Sequence, residues 1–189
     1  MTTSEVTTSR VAGKTGYLFI AGLVLVIDQL TKYWAASELR DSVDKEIIPG
    51  FFSLSYTENP GIAFGMLNDG NVRWILVAVS LAATIAVVFY ILRTPRTNKL
   101  LLWSLALLVA GICGNLIDRV RTGRVIDFLL FYYKDYQWPV FNVADTAITI
   151  GAALMAIELF LSPQPDQAAA PLEAESRGIE NTGELASKD

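Results

Sequence analysis

Residues 114–128 read GNLIDRVRTGRVIDF and residues 141–146 read FNVADT, which places Asp118, Asp127 and Asp145 beside segments apolar enough to lie in lipid. A carboxylate held at membrane depth is costly, so acids retained there usually serve a function. Asp127 and Asp145 resemble a working pair more than two isolated packing residues. The other segments of the chain indicate which chemistry such a pair could perform.

The segments around these acids are strongly hydrophobic. Of the 189 residues, 52% are hydrophobic, and the mean hydropathy is +0.40, which is too apolar for an ordinary soluble domain of this size. Each of four apolar runs is close to the ~20 residues that a helix needs to cross a bilayer. We therefore predict a mainly α-helical membrane protein with four transmembrane helices, over residues 16–34, 74–92, 100–117 and 140–161.

The predicted domain organisation is a single membrane domain over residues 16–161 between two tails. Residues 162–189 contain six acids and two bases, which accounts for the whole net charge of −4. This segment is rich in Gln, Ala, Pro and Glu and lacks apolar periodicity, so we expect it to be disordered, like residues 1–15. Neither tail is expected to contribute to catalysis.

Two long connections are predicted between the helices, over residues 35–73 and 118–139. In the first, Phe52, Leu54 and Tyr56 alternate with polar residues, which is the period of a strand with one apolar face. We expect a short β-sheet, or cradle, lying on the membrane surface.

The segment after this strand contains a turn signal. Asn59-Pro60-Gly61 should turn the chain, and residues 62–67, which include Gly65, could form a short interfacial helix that returns to the membrane. An ordinary turn is the alternative, and the sequence leaves both open.

Basic residues leave the orientation in the membrane open on counting alone. The connection over residues 93–99 carries three bases and no acids, which favours the cytoplasm. The connection over residues 118–139, on the opposite side, carries four bases. If the short connection over residues 93–99 is taken as the stronger indicator of orientation, both termini are cytoplasmic and the two long loops face outward.

Several polar residues within or beside the helices have both a structural and a functional interpretation. Asp28 and Lys32 are four residues apart, so they share a helix face and can form an ion pair that fixes packing or shapes a site. Asn115, Asp118 and Arg119 cluster at the end of the third apolar run. Taken singly, Arg119 could reach the membrane interface and Asn115 could bond a neighbouring helix.

Asp145 and Asp127 differ in how easily packing explains them. Asn142 could cap the fourth helix, with Asp145 in its first turn, where an acid is favourable and often only structural. Asp127 lies in the apolar run 125–133, VIDFLLFYY, whose β-branched and aromatic content predicts an extended segment. A lone carboxylate in such a strand is harder to explain by packing.

The residue inventory limits the possible reactions. The chain has no histidine and one cysteine, Cys113, whose mid-helix position favours a packing role. Without histidine, a Ser-His-Asp triad is excluded. No Gly-rich phosphate loop and no basic stripe for nucleic acid is present. Two adjacent aspartates that share one proton could activate a water for peptide hydrolysis, a mechanism that needs neither a metal nor an organic cofactor.

Four motifs in a fixed order give a resemblance that extends over residues 16–161. The segments IDQLTKYW, TENPGIAFG, GICGNLIDRVRTGRVIDF and FNVADTAI closely resemble the lipoprotein signal peptidases of bacteria, also called signal peptidase II. The resemblance implies an aspartic endopeptidase of the cytoplasmic membrane that cleaves prolipoproteins before a diacylglyceryl-modified cysteine. It also implies cytoplasmic termini, an active site near the outer face and inhibition by globomycin.

The resemblance assigns roles to residues of this chain. It implies that Asp127 and Asp145 are the catalytic pair. It implies no metal or cofactor, and the expected partners are lipidated signal peptides and membrane lipids, with a monomer as the working expectation. The positions implied to bind substrate or shape the site are Asp28, Lys32, Asn59, Gly65, Gly111, Asn115, Asp118, Arg119, Asn142 and Ala144.

Two other classes of protein remain as alternatives. A small proton-coupled transporter or channel also uses intramembrane carboxylates, although four helices, acids gathered at one end and no visible internal repeat count against it. A non-catalytic lipid-binding or assembly protein would use the acids only as packing ion pairs.

Overall fold

Four long helices dominate the computed structural model, which describes residues 13–61 and 70–162. Each is long and apolar enough to cross a membrane, so the prediction of a mainly helical membrane protein with four spans is confirmed. The helices are α1 (Thr15–Glu38), α2 (Gly70–Arg93), α3 (Lys99–Arg121) and α4 (Val143–Leu161).

The predicted end of the third helix is wrong by about one turn. The helix α3 continues to Arg121, so Asp118 and Arg119 belong to its end and not to the loop after it. Asp118 stays helical because its buried carboxylate is paired with Lys32 of α1 at 2.9 Å. Arg119 and Arg121 in the last turn also interact favourably with the carbonyl end of the helix.

A small antiparallel sheet lies between the helices in the sequence, with the order β1-β2-β3-β4. The predicted strand of the first long connection is present as β2. Its partner β3 comes from the second long connection and contains Asp127, so the predicted extended segment is also confirmed. The strands are β1 (Lys45–Ile48), β2 (Phe52–Asn59), β3 (Val125–Tyr133) and β4 (Tyr136–Gln137).

The predicted polar face of β2 is only partly correct. Leu54 and Tyr56 pack against a cluster formed by Ala35, Leu39 and Phe128, as an apolar face should. Ser53, on the opposite face, is nevertheless buried, because its hydroxyl donates to the hydroxyl of Tyr132 at 3.2 Å. A hydrogen-bonded serine can thus be buried beneath the sheet at low cost.

The main hydrophobic core forms around α3. In the most apolar stretch of α3, 50% is buried inside the protein, compared with 6% in the corresponding stretch of α2. The helix α3 is therefore central, and α2 exposes most of its surface. Cys113 packs against the core, in agreement with its predicted role. The buried core residues are Ala21, Ile91, Leu102, Leu105, Ala106, Val109 and Ala110.

The chain divides into two compact units after Ala156. The described part of the second unit is residues 157–162, the end of α4, where the hydroxyl of Ser162 donates to the carboxylate of Glu158 at 3.0 Å.

Two predicted segments lie wholly or largely outside the described residues. The proposed interfacial helix with Gly65 falls in residues 62–69, and the predicted C-terminal tail falls almost wholly in residues 163–189. Of the predicted N-terminal tail, residues 13–15 are described. Among these residues α1 begins at Thr15, and the Lys14 ammonium donates to the carbonyl of Ile91 at 2.7 Å.

Candidate active site

Asp127 is held on β3 by two asparagine amides. It faces Thr57 across the β2–β3 pair, and only 2% of its surface is exposed. Asn59, at the end of β2, donates from its side-chain nitrogen to Oδ2 at 3.0 Å, and Asn142 donates to Oδ1 at 2.6 Å. Both carboxylate oxygens of Asp127 therefore accept a hydrogen bond from a side-chain amide.

Asp145 lies in the first turn of α4, where the predicted cap is confirmed. The backbone N–H of Asp145 donates to the Asn142 side-chain oxygen at 2.9 Å, and the backbone N–H of Asn142 donates back to Asp145 Oδ2 at 3.3 Å. This reciprocal arrangement is a capping box. The side-chain nitrogen of Asn115 on α3 donates to the other oxygen, Oδ1, at 2.8 Å.

Asn142 connects the two aspartates. Its side-chain nitrogen contacts Asp127, while its side-chain oxygen and backbone N–H both contact Asp145. Asn142 is fully buried, so its position is determined by its surroundings and not by solvent. The strand that contains Asp127 and the helix that contains Asp145 are therefore joined through one side chain.

The orientation of each surrounding amide is determined by a second hydrogen bond. The side-chain oxygen of Asn59 accepts from the N–H of Gly61 at 2.8 Å, and that of Asn142 accepts from the N–H of Asp145. The side-chain oxygen of Asn115 accepts from the Lys32 ammonium at 2.9 Å. Each oxygen is occupied, so each amide nitrogen must face a carboxylate.

Behind the asparagines lies a buried cluster of charges from α1 and α3. The Lys32 ammonium lies 3.0 Å from Asp28 Oδ2 and 2.9 Å from Asp118 Oδ2. The predicted ion pair between Asp28 and Lys32 is thus present. Lys32 also donates to the side-chain oxygen of Asn115, and Asp28 Oδ1 accepts the backbone N–H of Ala144 on α4 at 2.8 Å.

Gln29 also belongs to this cluster and was not among the residues predicted from the sequence. Its side-chain nitrogen lies 3.1 Å from Asp28 Oδ2, 3.2 Å from Asp118 Oδ1 and 3.2 Å from the carbonyl oxygen of Gly114. Gln29 carries no charge and shares no three- or four-residue spacing with the acids, so periodicity does not reveal it. Gln29 could have been predicted as a site residue only from its position within the family motif IDQLTKYW.

Two glycines of α3 allow close approaches, Gly111 that of the α4 backbone and Gly114 that of Asp28 on α1. A Cβ at Gly111 would collide with the carbonyl oxygen of Ala144, and a Cβ at Gly114 would collide with the carboxylate of Asp28. Ala144 itself is fully buried. The predicted site residues Gly111 and Ala144 therefore act through helix packing, which brings Asp145 to Asn115.

Arg119 lies beside the aspartate pair and not against it. In the described part of the chain it contacts neither carboxylate; its Nη1 donates to the carbonyl of Asn115 at 3.4 Å, and its Nε is buried without a partner. A Cβ at Gly61 would lie 3.6 Å from Arg119 Nη2. The φ angle of 80° at Gly61 agrees with the predicted turn at Asn59-Pro60-Gly61.

The surroundings of Asp127 favour its protonated form. Burial raises its pKa to about 6, and the negative charge of Asp145 adds to this rise, whereas the hydrogen bonds from Asn59 and Asn142 lower it. A carboxyl group that keeps its proton up to about pH 6, next to a second carboxylate, can provide an acid and a base at one place.

Comparison with known families gives one match over most of the chain. The model of the signal peptidase (SPase) II family matches residues 20–161. This range contains all four motifs of the sequence analysis and every described residue of the site.

Individual relatives agree with this match. A lipoprotein signal peptidase of Symbiobacterium thermophilum is 45% identical over 144 residues, which cover 76% of this chain and 93% of that protein. One of Syntrophus aciditrophicus is 40% identical over 146 residues, with 76% of this chain and 91% of the relative covered.

Solved structures show the same fold. One bacterial membrane enzyme has a TM-score of 0.72 at 33% identity, covering 79% of this chain and 95% of that chain. A second has a TM-score of 0.70 at 34% identity, covering 77% and 88%.

Proposed function

The chain belongs to the signal peptidase II family of bacterial lipoprotein signal peptidases, and on this premise we propose that Asp127 and Asp145 are its catalytic pair. Membership makes the protein a multi-pass bacterial membrane peptidase of lipoprotein processing. The proposed substrate is a prolipoprotein whose cysteine already carries diacylglycerol, cut on the N-terminal side of that cysteine. The catalytic type proposed is that of an aspartic endopeptidase.

The observation that carries this proposal is the shared set of donors around the two carboxylates. Each of the four carboxylate oxygens accepts one hydrogen bond, from Asn59, Asn115 or Asn142. The buried cation Lys32 is paired with Asp28 and Asp118, so the hydrogen bonds around the two aspartates come from neutral amides. Preorganised donors that position a reactive group are typical of active sites.

The proposed reaction uses Asp127 as the acid and Asp145 as the base. Asp145 takes a proton from a water molecule, and the oxygen of this water forms a bond with the scissile carbonyl carbon. At the same time, the protonated Asp127 donates a hydrogen bond to the carbonyl oxygen. The proton on Asp145 then passes to the amide nitrogen as the C–N bond breaks. The products are the carboxyl group of the signal peptide and the amine of the lipidated cysteine.

Arg119 supports the substrate side of this proposal. Its Nε is buried and has no partner among the described residues, and an unsatisfied buried donor is costly. We assign it to a backbone carbonyl of the bound signal peptide. Asn115 and Asn142 position the carboxylates, and Asp28, Lys32 and Asp118 position Asn115 and the start of α4.

The proposed orientation places the pair near the extracytoplasmic face. The basic connection over residues 93–99 lies at the other end of the spans and favours the cytoplasm. Both termini are then cytoplasmic, and membrane lipids surround the four helices. We propose that the protein acts as a monomer, since each carboxylate oxygen of Asp127 and Asp145 already has a donor without a second copy of the chain.

The test is cleavage of a diacylglyceryl-modified precursor by the purified full-length protein in detergent. Asp127→Asn and Asp145→Asn should each lower the rate by about 10³-fold or more, because each removes one member of a pair that acts as a unit. Asp135→Asn is the matched control, since Asp135 is exposed in the turn between β3 and β4, and it should retain full activity.

Thermal unfolding must show that both variants remain folded. Retained cleavage by either one would remove that aspartate from the catalytic pair. Absence of cleavage by the wild-type protein, with proton flux into liposomes, would favour the transporter. The described buried acids, Asp28, Asp118 and Asp127, lie at one end of the spans, which does not favour a path for protons across the membrane.

A further inference from the structure

A cavity lies at the end of the spans opposite the aspartate pair. It has a volume of about 270 Å³ and includes three basic side chains. The residues that line it are Lys14, Leu92, Arg93, Thr94, Pro95 and Arg96. None of them belongs to the proposed active site.

Two of the three basic groups that line this cavity are arginines. In the described part of the chain, neither Arg93 nor Arg96 forms an ion pair with an acid. Both guanidinium groups are nevertheless positioned by contacts. Arg93 lies over the ring of Phe89 at 4.7 Å, and Arg96 lies so close to Gly13 that a Cβ there would collide with it.

The third basic group satisfies the end of α2, which leaves the arginines available. Lys14 is buried, and its ammonium donates to the carbonyls of Ile91 at 2.7 Å and Leu92 at 2.9 Å. These carbonyls form the negative end of the helix and would otherwise attract a basic side chain. Lys14 occupies these carbonyls, and Arg93 and Arg96 are both exposed.

We expect the cavity to lie at the depth of lipid headgroups, because it is at one end of the apolar helices. It is formed where α1 begins at Thr15 and α2 ends at Arg93, whereas the aspartate pair lies near the other ends of the helices. A helix of 24 residues is about 36 Å long, which exceeds the ~30 Å hydrocarbon core of a bilayer. The helix α2, whose apolar stretch is only 6% buried inside the protein, extends from the cavity into the membrane.

We propose that this cavity binds the phosphodiester group of an anionic phospholipid, such as phosphatidylglycerol, with its acyl chains along α2. Guanidinium groups form two parallel hydrogen bonds with a phosphate, which a bare positive charge does not. Basic pockets between helices at a membrane surface are suited to such headgroups. A zwitterionic phospholipid is disfavoured, since its own cation opposes the arginines.

The experiment compares phosphatidylglycerol with phosphatidylcholine on the full-length protein in detergent, with native mass spectrometry to measure retained lipid. The wild-type protein should prefer phosphatidylglycerol by a factor on the order of ten. Arg93→Gln with Arg96→Gln should abolish this preference. Lys99→Gln is the matched control, because Lys99 is an exposed base of the same connection that does not line the cavity, and it should keep the preference.

Three results would overturn the proposal. The first is a preference that persists in the double variant, and the second is an equal loss in Lys99→Gln, which would indicate a diffuse surface charge. The third is displacement of the lipid by an equal concentration of inorganic phosphate, which would indicate a site for free anions. If thermal unfolding shows that the double variant is misfolded, Arg96→Gln alone should still lower the preference severalfold.

Discussion

At the scale of single residues, Asn142 has the most connected position in the candidate site. It caps α4 through its side-chain oxygen and donates from its side-chain nitrogen to Asp127. A helix cap needs only an acceptor, and Ser, Thr or Asp would provide one. A Ser or Thr hydroxyl would have to accept and donate at one atom, whereas the amide of Asn142 accepts at its oxygen and donates at its nitrogen. An aspartate here would add a third negative charge.

The raised pKa of Asp127 predicts the pH dependence of cleavage. Its value of about 6 lies above the ordinary 3.8, so the proposed acid keeps its proton up to about pH 6 and loses it above. The ratio kcat/KM for precursor cleavage should therefore fall as pH rises through this value. Asn59→Ala removes a hydrogen bond that lowers the pKa, so the fall should move to higher pH.

The comparison needs a control on the same strand. Tyr56→Phe changes β2 without removing a contact to Asp127, since the Tyr56 hydroxyl bonds Glu58 and Arg40. Its pH profile should match that of the wild type. A profile that stays in place or moves to lower pH in Asn59→Ala would exclude Asp127 as the titrating acid.

At the scale of elements, close packing of α3 against α4 determines where Asp145 lies. Gly111 faces the backbone of Ala144, which directly precedes Asp145. The pairing of β2 with β3 determines where Asp127 lies. It places Asn59 opposite Val125, so that the Asn59 side chain can donate to the carboxylate of Asp127. The two aspartates thus depend on two different kinds of packing.

Gly111→Ala should lower the free energy of unfolding by about 1–3 kcal/mol, the usual cost of overpacking, and should also lower activity. The added methyl group collides with backbone, which cannot rotate away. Gly22→Ala on α1 is the matched control, since a Cβ there meets nothing within 4 Å. It should be neutral or stabilising by up to about 1 kcal/mol.

Unfolding in detergent by heat or denaturant measures both changes. Equal stability of the two alanine variants would show that α3 and α4 do not pack as closely as described.

At the scale of the whole molecule, a buried ion cluster joins three helices. Lys32 of α1 contacts Asp28 of the same helix and Asp118 of α3, and Asp28 accepts the N–H of Ala144 at the start of α4. The side chains of these three charged residues are at most 7% exposed. Removal of one partner from such a cluster leaves an uncompensated charge.

Lys32→Met should therefore destabilise the protein by about 3–5 kcal/mol, the cost of breaking a buried ion pair. The triple variant Lys32→Met, Asp28→Asn, Asp118→Asn removes the unpaired charges and should recover part of this loss. Denaturant unfolding in detergent gives both values. A triple variant less stable than Lys32→Met would mean that the acids stabilise the fold by hydrogen bonds that do not depend on Lys32.

Much of the candidate site follows from the sequence because its cues are local. The spacing of Asp28 and Lys32 predicts their ion pair, and the segment from Asn142 to Asp145 predicts the cap of α4. Gln29 was not predicted, because its three partners come from two helices. The position of Arg119 beside the pair, and not against it, also depends on how α3 ends relative to the turn at Gly61.

The sequence by itself determined the four membrane spans, the strand β2 and the extended segment with Asp127, since apolar length and periodicity are local properties of the chain. The tertiary structure alone decided that three asparagines surround the two aspartates, because that arrangement needs α3 against α4 and β2 against β3. Hydrogen bonds between residues 15 to 83 positions apart, such as Asn142 to Asp127 and Lys32 to Asn115, leave no periodic pattern in the sequence.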